Sequence, residues 1–330
     1  MYLPKYFLWR MLFLCAFLLG GCGGETRHKA DSESSSSSNK KIRLVVTTTQ
    51  LYDLAQRLTG DRFSVTSLMG PGVDPHTYKP SSRDILALSK ANLVVYHGMQ
   101  LEGRLAEALS HSEENGISTF NATASLPNKE IIYSTSGHTE QQHPDPHVWF
   151  DPKIWSFIVN EFTRRIIRYN PSEQKQFESK ANQILDSISK IEEWGINEIK
   201  KIPKDQRTLI TSHDAFQYLG RAMGLQVIAL QGMSTTTEAG LADRANLVDL
   251  IQDHNIPAIF IESSVNPTAI QEIAKECNVE VGGELFSDAL GSNNQFATGP
   301  NGMQYSVGTW EGMMVHNINT IVKALRKRRK

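Results

Sequence analysis

Four polar residues far apart in the chain are of the types that bind divalent transition metals: His76, His147, His213 and Asp288. Each is predicted to lie in a loop, and both His76 and His147 complete an Asp-Pro-His sequence. Three imidazoles and one carboxylate can enclose a metal ion with no coordination position left open. A closed ligand set favours holding the ion over using it as a catalyst, provided that the fold brings the four residues together.

The elements that must position these residues alternate between strand and helix. Short apolar segments predict strands, which are expected at residues 42–49, 63–68, 93–96, 208–211, 226–230, 258–261 and 279–281. Strands separated by helices indicate βαβ units and mostly parallel sheets. In such sheets ligands bind beyond the carboxyl ends of the strands, which is where His76, His213 and Asp288 lie. His147 precedes a predicted helix that starts at Asp151-Pro152.

A long amphipathic helix is predicted between the two halves of the chain. Asn170-Pro171-Ser172-Glu173 is typical of a helix start. The apolar residues that follow on one face are Phe177, Ala181, Ile184, Ile188 and Ile191. About 30 helical residues would span about 45 Å, enough to run along two lobes. We therefore predict an α/β fold with an N-terminal lobe at 42–170, a rigid connecting helix at 171–202 and a C-terminal lobe at 203–330, with the four residues in the cleft between the lobes.

The N-terminus has the layout of an export signal. Lys5 and Arg10 precede a short apolar run that ends in Leu19-Gly20-Gly21-Cys22. This predicts a signal peptide at 1–21 rather than a membrane span. Residues 22–41 contain five consecutive serines and no apolar periodicity, so they are predicted to be a flexible tether.

Composition excludes some partners and some forms of stabilisation. The formal net charge is −1, from 34 basic and 35 acidic residues, which gives no electrostatic case for binding nucleic acid. Of the three cysteines, Cys15 lies in the predicted signal and Cys22 directly after it, which leaves Cys277 alone in the folded part. No intramolecular disulfide is then possible, and the fold must rest on its hydrophobic core.

The remaining histidines lack a comparable context. Apart from His28 in the predicted tether, they are His97, His111, His138, His143, His254 and His316. His138 and His143 lie in a polar segment, 137–145, that is interpreted either as a feeder of metal to the site or, preferably, as a surface loop. The basic run at 326–330 is either a contact for anionic lipid or, preferably, a solvated helix end.

Several motifs together resemble the metal-binding lipoproteins of bacterial ABC importers, the TroA-like solute-binding superfamily (cluster A-I) for zinc and manganese. The motifs are Gly72-Val73-Asp74-Pro75-His76, Ala91-Asn92-Leu93-Val94 with Leu101-Glu102, Asp145-Pro146-His147-Val148-Trp149, Ser212-His213-Asp214-Ala215-Phe216, Ile261-Glu262-Ser263-Ser264 and Gly283-Glu284-Leu285-Phe286-Ser287-Asp288. Leu-Gly-Gly-Cys22 likewise resembles a lipobox, which implies cleavage before Cys22 and lipid on its sulfur and new N-terminus. The resemblance covers the chain from this lipobox to the final helix.

The resemblance implies a function of capture and delivery without a chemical reaction. The metal ligands would be His76, His147, His213 and Asp288, and the protein would be a monomeric extracytoplasmic lipoprotein, on the periplasmic side of the envelope if the cell is Gram-negative. Its partners would be an ABC permease with its ATPase, and the membrane through the lipid anchor. Binding should weaken as pH falls through the histidine range near about 6.5.

The cargo is expected to be Zn²⁺ or Mn²⁺, with Fe²⁺ ranked behind them. The third ligand position, His213, is a histidine rather than a glutamate. The intrinsic affinity of the site should therefore be higher for Zn²⁺ than for Mn²⁺. Relatives with three histidines and an aspartate nevertheless include carriers of both metals. Zinc-dedicated relatives often have a long His-rich and acidic loop, whereas this chain has only the short segment around His138 and His143.

Three other functions are compatible with parts of the sequence. A secreted zinc metallohydrolase would need an open metal position and a general base, for which Glu262 and Glu284 are the candidates. Some relatives carry an adhesin label. An organic solute would need aromatic and polar cleft residues in place of the ligand set.

Overall fold

The computed structural model describes residues 41–133 and 142–327. Outside these residues lie the predicted signal peptide, Cys22, all but the last residue of the tether, His138, and the end of the basic C-terminal run. Within them, no helix is both long enough and apolar enough to cross a bilayer.

Strands and helices alternate along most of the described chain. The strands are β1 (Ile42–Val46), β2 (Phe63–Ser67), β3 (Leu93–Tyr96), β4 (Ser118–Asn121), β5 (Thr208–His213), β6 (Gln226–Gln231), β7 (Ala258–Glu262), β8 (Glu280–Leu285), β9 (Phe296–Thr298) and β10 (Gln304–Ser306). The α-helices are α1 (Thr49–Thr59), α2 (Ser82–Ser89), α3 (Ala106–Glu114), α4 (Pro152–Ile167), α5 (Gln174–Ile199), α6 (Gln217–Met223), α7 (Leu241–Asp253), α8 (Thr268–Glu276) and α9 (Trp310–Leu325).

A four-stranded parallel sheet forms the first half, in the order β2-β1-β3-β4. Successive side chains of the central strand β1 point to opposite faces. Leu44 and Val46 pack into one buried cluster, while Val45 packs into another with Val94 of β3. Both faces of the sheet are therefore covered, as expected for parallel strands.

The second half is built from two parallel strand pairs. β5 pairs with β6, β7 pairs with β8, and β5 lies beside β7. A short antiparallel hairpin of β9 and β10 then leads into the buried helix α9. Parallel sheets flanked by helices confirm the predicted α/β class.

The long helix between the halves is also confirmed. A 3₁₀ turn at Pro171–Glu173 precedes α5, which has 26 residues and buries the apolar face that the sequence predicts. α5 packs against α4 on one side and α9 on the other. The lobe boundaries stay a prediction, because the largest core cluster contains residues from both halves, such as Leu44 and Ile318.

Several predicted boundaries were wrong. His213 is the last residue of β5 and pairs in register with Gln231, so it does not lie in a loop. β8 runs to Leu285, well beyond residue 281, where the sequence ends the strand because two glycines follow and glycine is depleted in strands. At Gly282 a Cβ would approach Ala324 Cβ to 2.6 Å. The helices expected at 101–109 and 214–223 begin later, at Ala106 and Gln217.

Candidate metal centre

The fold brings all four predicted ligands to one buried cluster. His76 lies in the loop after β2, His147 in the segment before α4, His213 at the end of β5 and Asp288 just after β8. Their exposed fractions are 5%, 0%, 0% and 1%, in that order. Each of the four side chains offers one possible ligand atom, and these four atoms all lie within 4.8 Å of one another.

The inward-facing atoms are the Nε2 atoms of the histidines and the carboxylate of Asp288. His147 Nε2 lies 3.3 Å from both His76 Nε2 and Asp288 Oδ1, and His213 Nε2 lies 3.4 Å from Asp288 Oδ2. Among the described residues, His213 Nε2 and Asp288 Oδ1 have no hydrogen-bond partner of suitable geometry, although both are buried. Buried polar atoms without a partner are costly, so a cation at this point would satisfy them.

Both Asp-Pro-His sequences fold in the same way. The Asp74 and Asp145 side chains accept the backbone N–H of His76 at 2.8 Å and of His147 at 2.9 Å. This bond joins an aspartate to the backbone of the residue two positions later, and it fixes the turn from which each histidine side chain projects. Asp145 Oδ1 also lies 2.7 Å from His147 Nδ1, which orients that ring from behind.

Glu262, at the end of β7, supports His213 from behind. Its Oε1 accepts the backbone N–H groups of Ser212 and His213, both at 2.9 Å, and its Oε2 lies 2.6 Å from His213 Nδ1. A carboxylate on the second ring nitrogen leaves Nε2 free to ligate and raises its basicity. His147 and His213 therefore have the same arrangement, with a carboxylate on Nδ1 and Nε2 facing the cluster.

The three histidines differ in the direction in which their surroundings shift the pKa. Burial lowers the pKa of His76 to about 4. Burial also acts to lower the pKa of His147, but Asp145 and Asp288 outweigh it and raise that pKa to about 9. Likewise, Glu262 and Asp288 outweigh the burial of His213 and raise its pKa well above the usual value. The pKa of Asp288 is well below its usual value, since His213 and His147 outweigh its own burial.

Tryptophans connect the cluster to both halves of the chain. The Trp149 indole packs against His147 at 5.4 Å between ring centres and donates to the carbonyl of Ser287 at 3.1 Å. The Trp310 indole donates to the Trp149 carbonyl at 2.8 Å. Ser264 Oγ donates to Asp288 Oδ2 at 3.0 Å. These bonds hold the ligand-bearing segments in fixed relative positions.

A cavity of about 1380 Å³ adjoins the cluster, and His76 is the only predicted ligand in its wall. Met99 and Gln100 form part of the wall, with φ angles of 51° and 63°. Their loop is held by the buried Glu102, which accepts the N–H groups of His97 at 2.7 Å and Gly98 at 3.2 Å. Non-glycine residues in this left-handed region are uncommon and often occur at functional sites. Access to the cluster is therefore on the side of His76.

Sequence reasoning missed most of the residues that support the ligands. Asp145 and Asp74 could have been found, because Asp two positions before a functional residue is typical of such a turn. Glu262 was considered only as a catalytic base. His97 lies outside the four-residue cluster, with Nε2 2.9 Å from Thr48 Oγ1 and its ring against Trp149. His143 lines the cavity rather than the cluster.

Fold and cluster together define an α/β protein with a buried three-histidine, one-aspartate group that can hold a divalent metal ion. The chain belongs to the zinc-uptake family whose model is described as "ZnuA: Zinc-uptake complex component A periplasmic", which matches residues 44–324. The family resemblance that the motifs indicate is thereby confirmed.

Named relatives cover almost the whole chain. It is 37% identical over 320 residues to the manganese-binding lipoprotein MntA of Bacillus subtilis (strain 168), covering 96% of this chain and 97% of the relative. It is 33% identical over 318 residues to the zinc-binding protein TroA of Treponema pallidum (strain Nichols), covering 95% and 97%. It is 24% identical over 319 residues to the manganese ABC transporter substrate-binding lipoprotein PsaA of Streptococcus pneumoniae serotype 4 (strain ATCC BAA-334 / TIGR4), covering 96% and 97%.

A solved structure shows the same fold. The periplasmic zinc-binding protein TroA from Treponema pallidum superimposes with a TM-score of 0.80 and 32% identity, covering 87% of this chain and 100% of that one. The family consists of solute-binding components, which agrees with the predicted class of function.

Proposed function

We propose that this protein binds one divalent transition metal ion, Zn²⁺ or Mn²⁺, through His76, His147, His213 and Asp288 and delivers it to an ABC importer. The observation that carries the proposal is the convergence of four buried donor atoms within 4.8 Å of one another. Three Nε2 atoms and a carboxylate form a ligand set suited to borderline transition metals. Fe²⁺ remains a third cargo, ranked behind the other two.

The partners follow from the family. PsaA is described as a substrate-binding lipoprotein of a manganese ABC transporter, so a permease and an ATPase are the proposed recipients. We propose further that Cys22 carries a lipid that holds the chain on the extracytoplasmic face of a membrane, as a monomer. The layout of the first 22 residues supports this part of the proposal.

No chemical reaction is part of this function, and the metallohydrolase and adhesin alternatives are not favoured. A catalytic metal site keeps a position for water and a base beside it. Of the two candidate bases, Glu262 is already engaged by three nitrogen atoms behind His213, and Glu284 is exposed on β8. Neither is arranged as a base for a metal-bound water.

The relatives do not decide between the metals. The MntA relative is described as manganese-binding and the TroA relative as zinc-binding. Elemental analysis of protein purified from its native envelope, followed by competition titration with both ions, would identify the cargo.

The ligand set is tested by His213→Ala. The variant should lose tight metal binding, because only three ligand residues remain and the metal site is left open. The substitution also removes the imidazole that faces Glu262. The control is His254→Ala, which removes an exposed histidine at the end of α7. One ion per chain in the purified His213→Ala protein would overturn the assignment.

A further inference from the structure

His76 differs from the other two histidines in how it is held. His147 and His213 each have a carboxylate on Nδ1, from Asp145 and Glu262. Among the described residues, no carboxylate forms a hydrogen bond or ion pair with Nδ1 of His76. This histidine is instead positioned through its backbone, whose N–H donates to Asp74 Oδ1 at 2.8 Å. The orientation of His76 therefore depends on what fixes Asp74.

Two threonine hydroxyls fix the other oxygen of Asp74. Thr77 Oγ1 donates to Asp74 Oδ2 at 2.8 Å from the same loop. Thr235 Oγ1 donates to the same oxygen at 2.5 Å from the segment between β6 and α7, 161 residues further along the chain. The Thr235 contact thus ties the His76 loop to the second half of the molecule.

The segment that carries Thr235 also bounds the cavity next to His76. Gly232, Met233, Ser234 and Thr236 line this cavity, and so does His76 itself. Thr235 and its bond to Asp74 therefore lie beside the cavity wall, although Thr235 is not itself one of the lining residues. Thr235 is half-buried, so its bond to the carboxylate is partly shielded from water.

We propose that Thr235 is a positioning residue, which acts through Asp74 to hold His76 in ligating geometry and slows the release of bound metal. The proposal rests on the proposed function, because it assigns His76 a ligand's role. A hydrogen bond to a charged group contributes more than one between neutral groups. Breaking the bond frees one side of the His76 loop while the other three ligands stay in place.

The test compares Thr235→Val, which removes the hydroxyl at nearly constant volume, with Thr237→Val as the matched control. Thr237 is an exposed threonine in the same segment, and it makes no side-chain hydrogen bond to the described residues. Each variant is loaded with Zn²⁺ and, separately, Mn²⁺, and metal loss to excess EDTA is followed. Thr235→Val should bind one ion per chain but release it about tenfold faster, given the usual strength of such a bond. Thr235→Ser should restore the wild-type rate, and Thr237→Val should match it.

A double-mutant cycle separates this role from general loosening of the segment. Combining Thr235→Val with Asp74→Ala should add little to the faster release of Asp74→Ala alone, because both changes remove the same bond. Fully additive effects would overturn the proposal, and so would a release rate in Thr235→Val equal to that in Thr237→Val.

A measurement without metal keeps the result independent of the proposed function. Hydrogen exchange of the His76 amide, which donates to Asp74, should be faster in metal-free Thr235→Val than in Thr237→Val, with equal thermal midpoints. Unchanged exchange would refute the positioning role even if the protein binds metal. Faster exchange in a protein that binds no metal would support the positioning of His76 while refuting metal capture.

Discussion

Glu262 and His213 contact each other through both the side chain and the main chain of the histidine. Glu262 Oε2 lies 2.6 Å from His213 Nδ1, and Oε1 accepts the His213 backbone N–H at 2.9 Å. One carboxylate therefore sets both the orientation of the imidazole and the position of the strand end that carries it. Because β5 and β7 lie side by side, this contact does not depend on the other half of the molecule.

Glu262→Gln should lower metal affinity by about 10-fold to 100-fold, the usual effect of losing such a partner behind a ligand. The amide oxygen can still accept the backbone N–H groups of Ser212 and His213, so the fold should be retained. What changes is the atom facing His213 Nδ1, which becomes an amide nitrogen that can only donate a hydrogen bond. The dissociation constant can be measured by competition with a chelating dye.

Glu284→Gln is the control for that measurement. Glu284 is the other glutamate that the sequence offers as a base, and its side chain is exposed on β8. Its substitution should leave affinity within about twofold, as expected for an exposed group outside the site. Equal losses in the two variants would mean that Glu262 has no special relation to the metal.

Metal binding should release about two protons per ion at pH 7, because two ligands must lose a proton before they can ligate. The pKa of His147 is raised to about 9 and that of His213 well above its usual value, so both carry a proton in the metal-free protein. The pKa of His76 is lowered to about 4, so this ligand carries none. Replacing two protons by one divalent cation leaves the charge of the buried cluster unchanged.

The sign of the pH dependence follows from these directions. Affinity should fall as pH is lowered from about 9, since protons compete with metal for His147 and His213. Sequence alone placed this change near about 6.5, the range of an unperturbed histidine. Calorimetry at pH 7 in two buffers of different ionisation enthalpy gives the number of protons released. Asp145→Asn removes a carboxylate that raises the pKa of His147 and should reduce that number, whereas no proton release in the wild type would contradict the prediction.

Much of the site could be predicted because its key residues stand in recognisable local contexts. The two Asp-Pro-His turns and the strand-end position of Asp288 are readable from one sequence, since turn chemistry and strand ends are local properties. The fold class and α5 were predictable for a similar reason, because the spacing of apolar residues along the chain indicates which face of a helix or strand is buried. The end of β5 was less clear, since Thr211, Ser212 and His213 are polar and yet buried.

Contacts between distant segments could not be predicted. Glu262 contacts His213 from 49 residues away, and Thr235 contacts Asp74 from 161 residues away. No sequence pattern around either residue indicates which residue it contacts, because the pairing depends on how strands and loops are arranged in three dimensions. The pKa values of the clustered histidines and of Asp288 depend on the same kind of contact, so they too required the structure.

A partly buried ion-pair network, with a half-buried arginine between two buried carboxylates, joins α1 to the start of α9. Arg57 donates to both oxygens of Glu311, at 2.7 and 2.8 Å, and to Asp53 at 3.4 Å. Asp53 also accepts the backbone N–H of Trp310 at 3.0 Å. Trp310 in turn donates to the carbonyl of Trp149, so the network supports the segment that carries His147.

Arg57→Met should reduce the free energy of unfolding at pH 7 by about 3 kcal/mol, because it leaves two buried carboxylates without their cation. Part of this loss should be recovered on acidification. Burial raises the pKa of Asp53 to about 6 even with Arg57 present, and removing the cation would raise it further. A carboxyl whose pKa is higher in the folded state favours folding when protonated, so stability should rise as pH falls through that pKa.

Urea denaturation of metal-free protein at pH 7 and pH 5 would measure both effects. Arg62→Met is the control, because Arg62 pairs with Glu173 at 2.8 Å where both side chains are about one-third exposed. That exposed pair should contribute less than about 1 kcal/mol at either pH. Equal losses in the two variants, or a loss in Arg57→Met that does not shrink at pH 5, would show that the network around Asp53 is not stabilised by the charge of Arg57.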